Sequence, residues 1–294
     1  MFSLFCMTLI QPIYGTEVDS FTTREEVTLD SINPLNAEMN RRLQKAVRRA
    51  NTMGKCSEGW LYFHLGMQLR AGLTGGFMIS PLESFANKNK AIQAKSYPRK
   101  NSIYRQVGFL QSIPITVYPL GKLLLVNGHH ISGDKFSHFL NVGWSYHKKI
   151  EFNGKPVEAT LKWGQKTERG IWGLATSGVY SYADLVANYD GFRFWSTLFG
   201  GRDPDGNFIQ PTFACIEDEW RQVREFTWEE WITAGWDEAI NCNFYAKRLH
   251  ISSDDRVDSK PDSVVLTCPI DTRKCNELHT QYPAFGSYMI STCN

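Results

Sequence analysis

We expect the fold to be decided by two segments, NGHHISGDKFSHFLNVGWSYHKK (residues 127–149) and KWGQKTERGIWGLATSGVYSYADLVANYDGFRFW (residues 162–195). The first segment holds four of the seven histidines of the chain. In the second, two stretches with helical periodicity flank a glycine-rich turn, and Glu168 stands at the end of the first stretch. Polar chemistry is concentrated here more than anywhere else in the chain.

Composition sets the broad class of the protein. The chain has 294 residues, of which 42% are hydrophobic, and this is typical of a folded protein with a sizeable core. Its 32 Lys and Arg residues nearly balance its 30 Asp and Glu residues, so no nucleic-acid partner is expected from charge. Nine Trp and twelve Tyr offer flat faces for sugar rings, although isolated aromatic residues more often belong to the core.

The first fifteen residues, MFSLFCMTLIQPIYG, form an apolar run that resembles a secretory signal peptide with a short hydrophobic region. We expect cleavage near Gly15. No other stretch approaches the ~18 to 20 apolar residues of a membrane span. The mature protein is therefore expected to be periplasmic or secreted, without stable membrane insertion.

Cysteine usage supports export. Removal of the leader takes Cys6 with it and leaves an even number of cysteines, enough for three disulfides, whose pairing the spacing does not decide. Cys268 and Cys275 are near enough in sequence to close a small loop, and Cys293 is placed to hold the C-terminal tail. No CxxC pair or zinc-type Cys/His cluster occurs, and the turn at residues 203–207, Asp-Pro-Asp-Gly-Asn, lacks the distal Glu of a calcium loop. We therefore expect no metal. The six remaining cysteines are Cys56, Cys215, Cys242, Cys268, Cys275 and Cys293.

Two amphipathic helices are predicted in the N-terminal part. In residues 35–51 the apolar residues follow the 3.6-residue period, with Asn33 as the cap and Pro34 at the first helical position. Its basic face is more often a solvated face than a site for an anionic polymer. Residues 58–72 predict a second helix, in which we interpret His64 as a packing residue.

A hairpin is expected around Asn127 and Gly128, because Asn-Gly is the favoured two-residue turn. A helix then follows with Asp134 as its cap. Asp134 and His138 are four residues apart and share a helix face, where the aspartate would orient the imidazole. The alternative interpretation is a capping Asp beside a buried, hydrogen-bonded His.

Glu168 lies in the last turn of a helix that Gly170 can end. A carboxylate is unfavourable there because the helix dipole is already negative at that end, which favours a functional interpretation over a solvated surface residue. Apolar neighbours such as Trp163, Ile171 and Trp172 would raise its pKa, because burial disfavours the charged form. Glycines in residues 170–178 then predict a tight turn or a small hairpin.

A Glu at a helix end, a Gly-rich turn with Thr, Ser and Tyr, and a helix with Asn-x-x-Gly together resemble the active site of the lysozyme superfamily. More closely, the chain is similar to a family of secreted bacterial lysozyme-like proteins with the patterns DKxxHF and TGVxSxxDxxAN. The likeness covers roughly residues 125–200, and Ser177 stands where that pattern has Thr. The matching residues are Asp134-Lys135, His138-Phe139, Gly143, Glu168, Gly178-Val179, Ser181, Asp184 and Ala187-Asn188.

The resemblance implies a mainly α fold, a lysozyme-like helical domain with a small β-hairpin at the active site. It implies a glycoside hydrolase on peptidoglycan glycan strands, acetylated or deacetylated, with Glu168 as general acid and Tyr180 or Tyr182 assisting. No cofactor is implied, and we expect a monomer. Asp184 is a candidate second carboxylate, although helix capping explains it equally well. The expected substrate-binding or supporting residues are Asp134, His138, Thr176, Ser177, Ser181, Asp184 and Asn188.

We therefore expect the chain to have four regions: a signal peptide (1–15), an N-terminal helical region (16–119), a lysozyme-like catalytic region (120–246) and a disulfide-stapled C-terminal tail (247–294). Within the third, the stretch from Phe226 predicts an amphipathic helical segment whose three tryptophans belong to the core.

Two other functions are compatible with the sequence. One is a non-enzymatic exported protein that binds cell-wall or lipid head groups. The other is a hydrolase that uses His138 with Asp134, for which the chain has no nucleophile elbow.

Overall fold

The computed structural model describes residues 17–22, 24–71, 79–170, 173–251, 256–257, 264–265 and 267–293. Helices dominate its regular structure, so the expected mainly α class is confirmed. The predicted leader, with Cys6, and the two predicted apolar neighbours Ile171 and Trp172 lie outside the described residues. The helices are α1 Ile32–Ala50, α2 Glu58–Leu69, α3 Pro81–Lys88, α4 Ile113–Val117, α5 (Lys135–Ser137 continued by His138–Val142, Gly143–His147 and Lys148–Phe152), α6 Val157–Arg169, α7 Tyr182–Ser196, α8 Thr272–Gln281 and α9 Gly286–Met289.

The strands are short. One antiparallel sheet has three of them in the order β1, β2, β3, and the others form two-stranded pairs, β4 with β9, β5 with β6, β7 with β8 and β10 with β11. Within the described part of the chain, no helix is long and apolar enough to cross a membrane. The strands are β1 Ala94–Lys95, β2 Leu123–Val126, β3 His129–Ser132, β4 Val179–Tyr180, β5 Gly201–Arg202, β6 Phe208–Ile209, β7 Phe213–Ile216, β8 Glu219–Gln222, β9 Phe244–Tyr245, β10 Arg256–Val257 and β11 Val264–Val265.

Helix α1 buries the apolar face that its period predicts, and Leu35, Met39 and Leu43 are fully buried. The predicted start of α1 was wrong by two residues, because the helix begins at Ile32 and Pro34 is its third residue. Proline is tolerated there, since the first four backbone N–H groups of a helix have no intrahelical acceptor.

The predicted hairpin forms between β2 and β3, with Val126 paired with His129 across the turn. Asn127 and Gly128 both have positive φ, 52° and 70°, as a type I′ turn requires. The carboxylate of Asp30 accepts hydrogen bonds from the backbone N–H groups of both turn residues, at 3.2 and 2.9 Å. The hairpin leads directly into α5.

Helices α5 and α7 cross with their backbones in contact. An ideal Cβ at Gly191 would lie 2.0 Å from the carbonyl oxygen of Phe139, and one at Gly143 would lie 2.6 Å from the Cα of Gly191. Only glycine allows this approach. Because the crossing is so close, polar side chains one turn away on the two helices come within hydrogen-bonding distance.

Helix α6 ends at Arg169, and Gly170 follows it as predicted. Of the two alternatives for the next segment, the described residues 173–178 form a series of turns. Strand β4 then pairs with β9, more than sixty residues further along the chain: Val179 lies opposite Tyr245 and Tyr180 opposite Phe244.

The C-terminal region packs into the same core as the central helices, where Tyr282 and Met289 are buried. The predicted six cysteines form three disulfides, Cys56–Cys215, Cys242–Cys268 and Cys275–Cys293. The expected small loop between Cys268 and Cys275 was wrong, because each of the two is bonded to a different cysteine. Three disulfides are typical of proteins in oxidising compartments.

The stretch from Phe226 to Tyr245 is not the predicted amphipathic helix. It holds two single 3₁₀ turns, Trp228–Glu230 and Ala234–Trp236. The three tryptophans are buried around Phe139 of α5, as expected of core residues, with ring centroids 5.1 to 5.6 Å from that of Phe139. Tertiary packing overrides the local helical pattern here.

Candidate functional site

Lys135, the second residue of the DKxxHF pattern, is fully buried at the start of α5. Its Nζ lies 2.5 Å from Oδ1 of Asp184, 2.6 Å from Oε1 of Glu238 and 3.4 Å from Oδ1 of Asp134. It also donates to Oγ of Ser132 at 2.9 Å. Burial lowers the pKa of this ammonium, but the three carboxylates outweigh burial and raise the pKa well above its usual value. Lys135 is therefore a buried positive charge at the centre of an acidic cluster.

His138, one turn further along α5, reaches α7 with both ring nitrogens. Nδ1 lies 3.0 Å from Oδ1 of Asn188, and Nε2 lies 3.3 Å from Oδ2 of Asp184. The carboxylate that pairs with the histidine is therefore Asp184. Sequence spacing had indicated Asp134 for this role.

Asp134 does not cap α5, contrary to the prediction. Its backbone is already helical and its side chain makes no capping hydrogen bond. Instead its carboxylate accepts a hydrogen bond from Ser132 and faces Lys135. Burial would raise the pKa of Asp134, but Lys135 and His138 outweigh it, and the pKa is lowered.

Ser181 is the cap of α7, because its Oγ accepts a hydrogen bond from the backbone N–H of Asp184 at 3.2 Å. The capping explanation of Asp184 was therefore wrong. The Asp184 side chain instead contacts Lys135 and His138. Oδ1 of Asp184 contacts Lys135 and Oδ2 contacts His138, so the orientation of the carboxylate is fixed.

Glu168 lies in the last turn of α6 with only 6% of its surface exposed. Its Oε1 accepts a hydrogen bond of 3.2 Å from the backbone N–H of Ser181. The turn after the helix closes over the carboxyl group, since an ideal Cβ at Gly173 would lie 2.7 Å from the same oxygen. Burial, then the charge of Asp184, raises the pKa of Glu168 well above its usual value, and the hydrogen bond from Ser181 opposes this. Glu168 thus holds its proton far more tightly than an exposed glutamate does.

Glu238 is the third carboxyl group around Lys135, and it belongs to neither the DKxxHF nor the TGVxSxxDxxAN pattern. Its Oε2 accepts hydrogen bonds from Nδ2 of Asn243 at 2.9 Å and from Oγ of Ser20 at 3.3 Å. Burial raises the pKa of Glu238, although Lys135 opposes the effect. One buried ammonium is thus shared among several carboxyl groups.

A cavity of about 190 Å³ opens beside this cluster. Burial and the nearby Asp134 raise the pKa of Glu83 to about 8, even though Ser137 donates a hydrogen bond to its carboxylate. Burial likewise raises the pKa of Glu17, and a hydrogen bond with Ser177 opposes this effect. The polar and charged residues that line the cavity are Glu17, Glu83, Asn87, Ser96, Lys122, Ser132 and Asp134.

An amide oxygen adds to the acceptors of this cavity. Asn87 is 9% exposed, and its Oδ1 is buried without a hydrogen-bond partner in the part of the chain that the structure describes. Its amide lies against Gly133, where an ideal Cβ would be 2.9 Å from Oδ1. Lys122, the cation of the cavity, donates to the backbone carbonyl of Asn87 at 2.7 Å. The cavity is therefore rich in acceptors.

The other predicted site residues lie around the turn over Glu168. The hydroxyls of Thr176 and Ser177 donate to the carbonyl oxygen of Gly173, at 3.2 and 3.0 Å, and so shape the turn. Tyr180 is buried and Tyr182 half-buried, and their rings meet edge to face with centroids 4.9 Å apart. The structure therefore brings Glu168, Ser181, Asp184, His138 and Asn188 together, while the two tyrosines form a separate pair beside them.

Asp134, His138 and Asp184 have the side-chain types of a divalent-cation site, and their ligand atoms lie within 4.8 Å of one another. The Lys135 ammonium already lies 2.5 Å from Asp184, so the positive charge that a metal would supply there is provided by the chain itself. This finding qualifies the expectation of no metal, which rested on the cysteine pattern and on the absence of a calcium-loop motif.

Sequence reasoning missed four of the charged residues at the site. Lys135 was visible in the DKxxHF pattern but carried no assigned role. Glu17, Glu83 and Glu238 lie far from residues 127–195 in sequence and show no local signal that separates them from surface acids.

Comparisons of the chain with protein-family models, with curated proteins and with solved structures find no match. The chemistry of the site is therefore the basis for a function. It offers a buried carboxyl group of raised pKa on α6 next to an ion-paired carboxylate on α7, with an acceptor-rich cavity alongside.

Proposed function

We propose that the protein is an exported glycoside hydrolase that cleaves the glycan strands of peptidoglycan, with Glu168 as general acid. The observation that carries the proposal is the environment of Glu168, whose buried carboxyl has a raised pKa beside the second carboxylate, Asp184. Glycosidic cleavage needs a proton on the leaving oxygen, and glycosidases supply it from a carboxyl group whose pKa is raised in this way. The proposed lysozyme-like site then consists of the end of α6, the turn 173–178 with strand β4, and the first turns of α7.

Asp184 serves as the second carboxylate in this proposal. Lys135 and His138 fix its two oxygens, so the carboxylate is oriented before substrate binds. A fixed negative charge stabilises the positive charge that develops on the sugar ring in the transition state. Ser181 links the two groups, because its N–H binds Glu168 and its hydroxyl caps the helix of Asp184.

The residues that line the cavity favour a substrate glycan with free amino groups, as in deacetylated peptidoglycan. An ammonium group donates hydrogen bonds and carries a positive charge, whereas an acetamido group is neutral and larger. The carboxylate of Asp134, whose pKa is lowered, and Oδ1 of Asn87 complement the ammonium group. The cavity shares Asp134 with the Lys135 cluster, so it lies next to the proposed catalytic groups.

Both ring nitrogens of His138 have partners, Asn188 and Asp184, which leaves neither nitrogen to activate a nucleophile or water. The alternative of a His/Asp hydrolase is therefore weaker. Three disulfides support a periplasmic or secreted location, and we propose that the protein acts as a monomer.

The proposal is tested by digesting three glycan preparations from the same peptidoglycan: native, enzymatically deacetylated, and deacetylated and then chemically N-acetylated again. We expect glycan fragments from the deacetylated preparation, identified by mass, and far fewer from the reacetylated one. Equal release from all three would contradict the role of the acidic cavity. Binding to the glycan without release of any fragment would contradict the enzyme and favour a cell-wall binding protein.

A further inference from the structure

Five large apolar side chains are exposed within ten residues: Phe109, Leu110, Ile113, Val117 and Tyr118. We call them the apolar tip. Leu110 is 97% exposed, so it projects from the surface and does not lie in a groove. An exposed apolar patch of this kind marks a surface that meets a partner.

The chain around the tip is held in place by hydrogen bonds. Oγ of Ser112 accepts from the N–H of Ile115 and caps α4, and the Ile115 side chain is fully buried beneath the helix. Two arginines fix the flanks: Arg99 donates to the carbonyl oxygen of Val107 at 2.5 Å, and Arg248 donates to that of Gln111 at 2.8 Å. Exposure of the apolar side chains is therefore a property of a structured segment.

The tip belongs to a basic segment of the chain. Between Glu83 and Asp134 the sequence contains no Asp or Glu, but it contains seven Lys or Arg residues. Lys100 in that segment is exposed, as are Lys247 and Arg248 on the segment that contacts Gln111. The partner should therefore combine an apolar phase with negative charge.

We propose that the apolar tip docks the protein on the surface of an anionic lipid bilayer. A projecting leucine with flanking aromatic side chains inserts shallowly between head groups, and the basic residues pair with lipid phosphates. A lipid surface fits this shape better than a protein partner, because protein interfaces bury their apolar anchors in a complementary pocket and carry fewer lysines. This inference is independent of the proposed glycosidase activity.

Docking would also set the position of the candidate site. Arg248, which holds the tip through Gln111, donates as well to the carbonyl oxygens of Leu174 and Ala175, at 2.7 and 3.1 Å. Those two residues belong to the turn that closes over Glu168. The docked protein would thus keep this turn close to the membrane surface.

The test is sedimentation of the full chain with vesicles of phosphatidylcholine alone and of phosphatidylcholine with phosphatidylglycerol. We expect binding to the anionic vesicles, weaker binding at 0.5 M salt than at 0.1 M salt, and little binding to the neutral vesicles. Leu110→Ser and Phe109→Ser should each weaken binding to the anionic vesicles by ~5-fold or more, because each removes apolar surface from the inserted tip.

Phe208→Ser is the matched control for Phe109→Ser, since Phe208 is 62% exposed and Phe109 is 58% exposed, but Phe208 lies on the β5–β6 hairpin. It should bind like the parent protein. All variants keep residues 1–15, so the apolar leader contributes equally to each, and circular dichroism checks that each is folded. Equal binding of the parent, Leu110→Ser and Phe109→Ser overturns the proposal, as does absence of binding by the parent. A concentration-dependent dimer that Leu110→Ser abolishes, without vesicle binding, also overturns it in favour of self-association.

Discussion

The backbone N–H of Ser181 donates a hydrogen bond to the carboxyl group of Glu168, thirteen residues earlier in the chain, at 3.2 Å. The bond joins the C-terminal end of α6 to the N-cap of α7. Two helix ends thus fix the position of one buried acid, and Oγ of the same cap residue accepts a hydrogen bond from the backbone N–H of Asp184. A catalytic carboxyl group needs this kind of positional control.

Removal of the buried cation should destabilise the whole cluster. In Lys135→Met, Asp134, Asp184 and Glu238 lose their shared counter-charge, and loss of one partner of a buried ion pair costs about 3–5 kcal/mol. Urea denaturation at pH 7 should show that loss. Lys148→Met, in the same helix but exposed, should change the free energy of unfolding by less than about 0.5 kcal/mol. Equal effects of the two substitutions would contradict the assigned role of Lys135.

Stability should depend on pH through Glu83. Its pKa is about 8 in the folded protein against an ordinary value of 4.5, so the folded state binds this proton more tightly than the unfolded chain does. The contribution to stability is complete below pH 4.5 and is lost as the pH rises through 8. Each pKa unit corresponds to about 1.4 kcal/mol, so the loss is of the order of a few kcal/mol.

Glu83→Gln removes this titration and keeps a side chain that can accept the Ser137 hydrogen bond. The variant should match the parent protein at pH 4 and unfold at a clearly higher temperature at pH 9, as measured by thermal denaturation. Glu219→Gln, at an exposed glutamate, should follow the parent at both values. A difference between Glu83→Gln and the parent that is the same at pH 4 and pH 9 would count against the account.

Helix α6 needs a glycine where the Tyr146 side chain of α5 packs against it. An ideal Cβ at Gly164 would lie 1.7 Å from the hydroxyl oxygen of the buried Tyr146. Gly164→Ala should therefore lower the free energy of unfolding by about 1–3 kcal/mol, measured by urea denaturation. Addition of Tyr146→Phe should recover part of the loss, because it removes the clashing oxygen.

Gly59→Ala provides the comparison for that experiment. Gly59 is helical and exposed, and an added Cβ there meets no atom within 4 Å. Alanine should stabilise α2 by up to about 1 kcal/mol, since it has the higher helix propensity. If Gly164→Ala proves as harmless as Gly59→Ala, the close packing of Tyr146 on α6 is incorrect.

Much of the helical framework could be predicted because its signals are local. The apolar period of α1, the Asn127-Gly128 turn and the stop at Gly170 each depend on a few neighbouring residues, and each is found within two residues of its expected place. The prediction of a helix around Trp228 was wrong, because the tryptophans of this segment are positioned by packing on Phe139 and not by a helix of their own.

The candidate site could be predicted only in part, for a related reason. Glu168, Asp184 and His138 fall in one stretch of sequence, so the pattern indicated them together. One partner of Lys135 is Glu238, which is 103 residues away, and only the folded chain brings their charges to 2.6 Å. Sequence spacing also favoured Asp134 as the partner of His138. Spacing identifies residues that are neighbours on one helix, but it does not reveal that α5 crosses α7.

The central claim is that Glu168 donates the proton in glycosidic cleavage, and the most direct measurement is the turnover of Glu168→Gln on deacetylated glycan strands. Glutamine keeps the size of the side chain and an oxygen for the Ser181 hydrogen bond, but it has no transferable proton. The account predicts a loss of roughly 10²- to 10⁴-fold in rate with the melting temperature retained. Glu158→Gln, at an exposed position of the same helix, should cleave at the parent rate. A folded Glu168→Gln protein that releases glycan fragments as fast as the parent would contradict the claim.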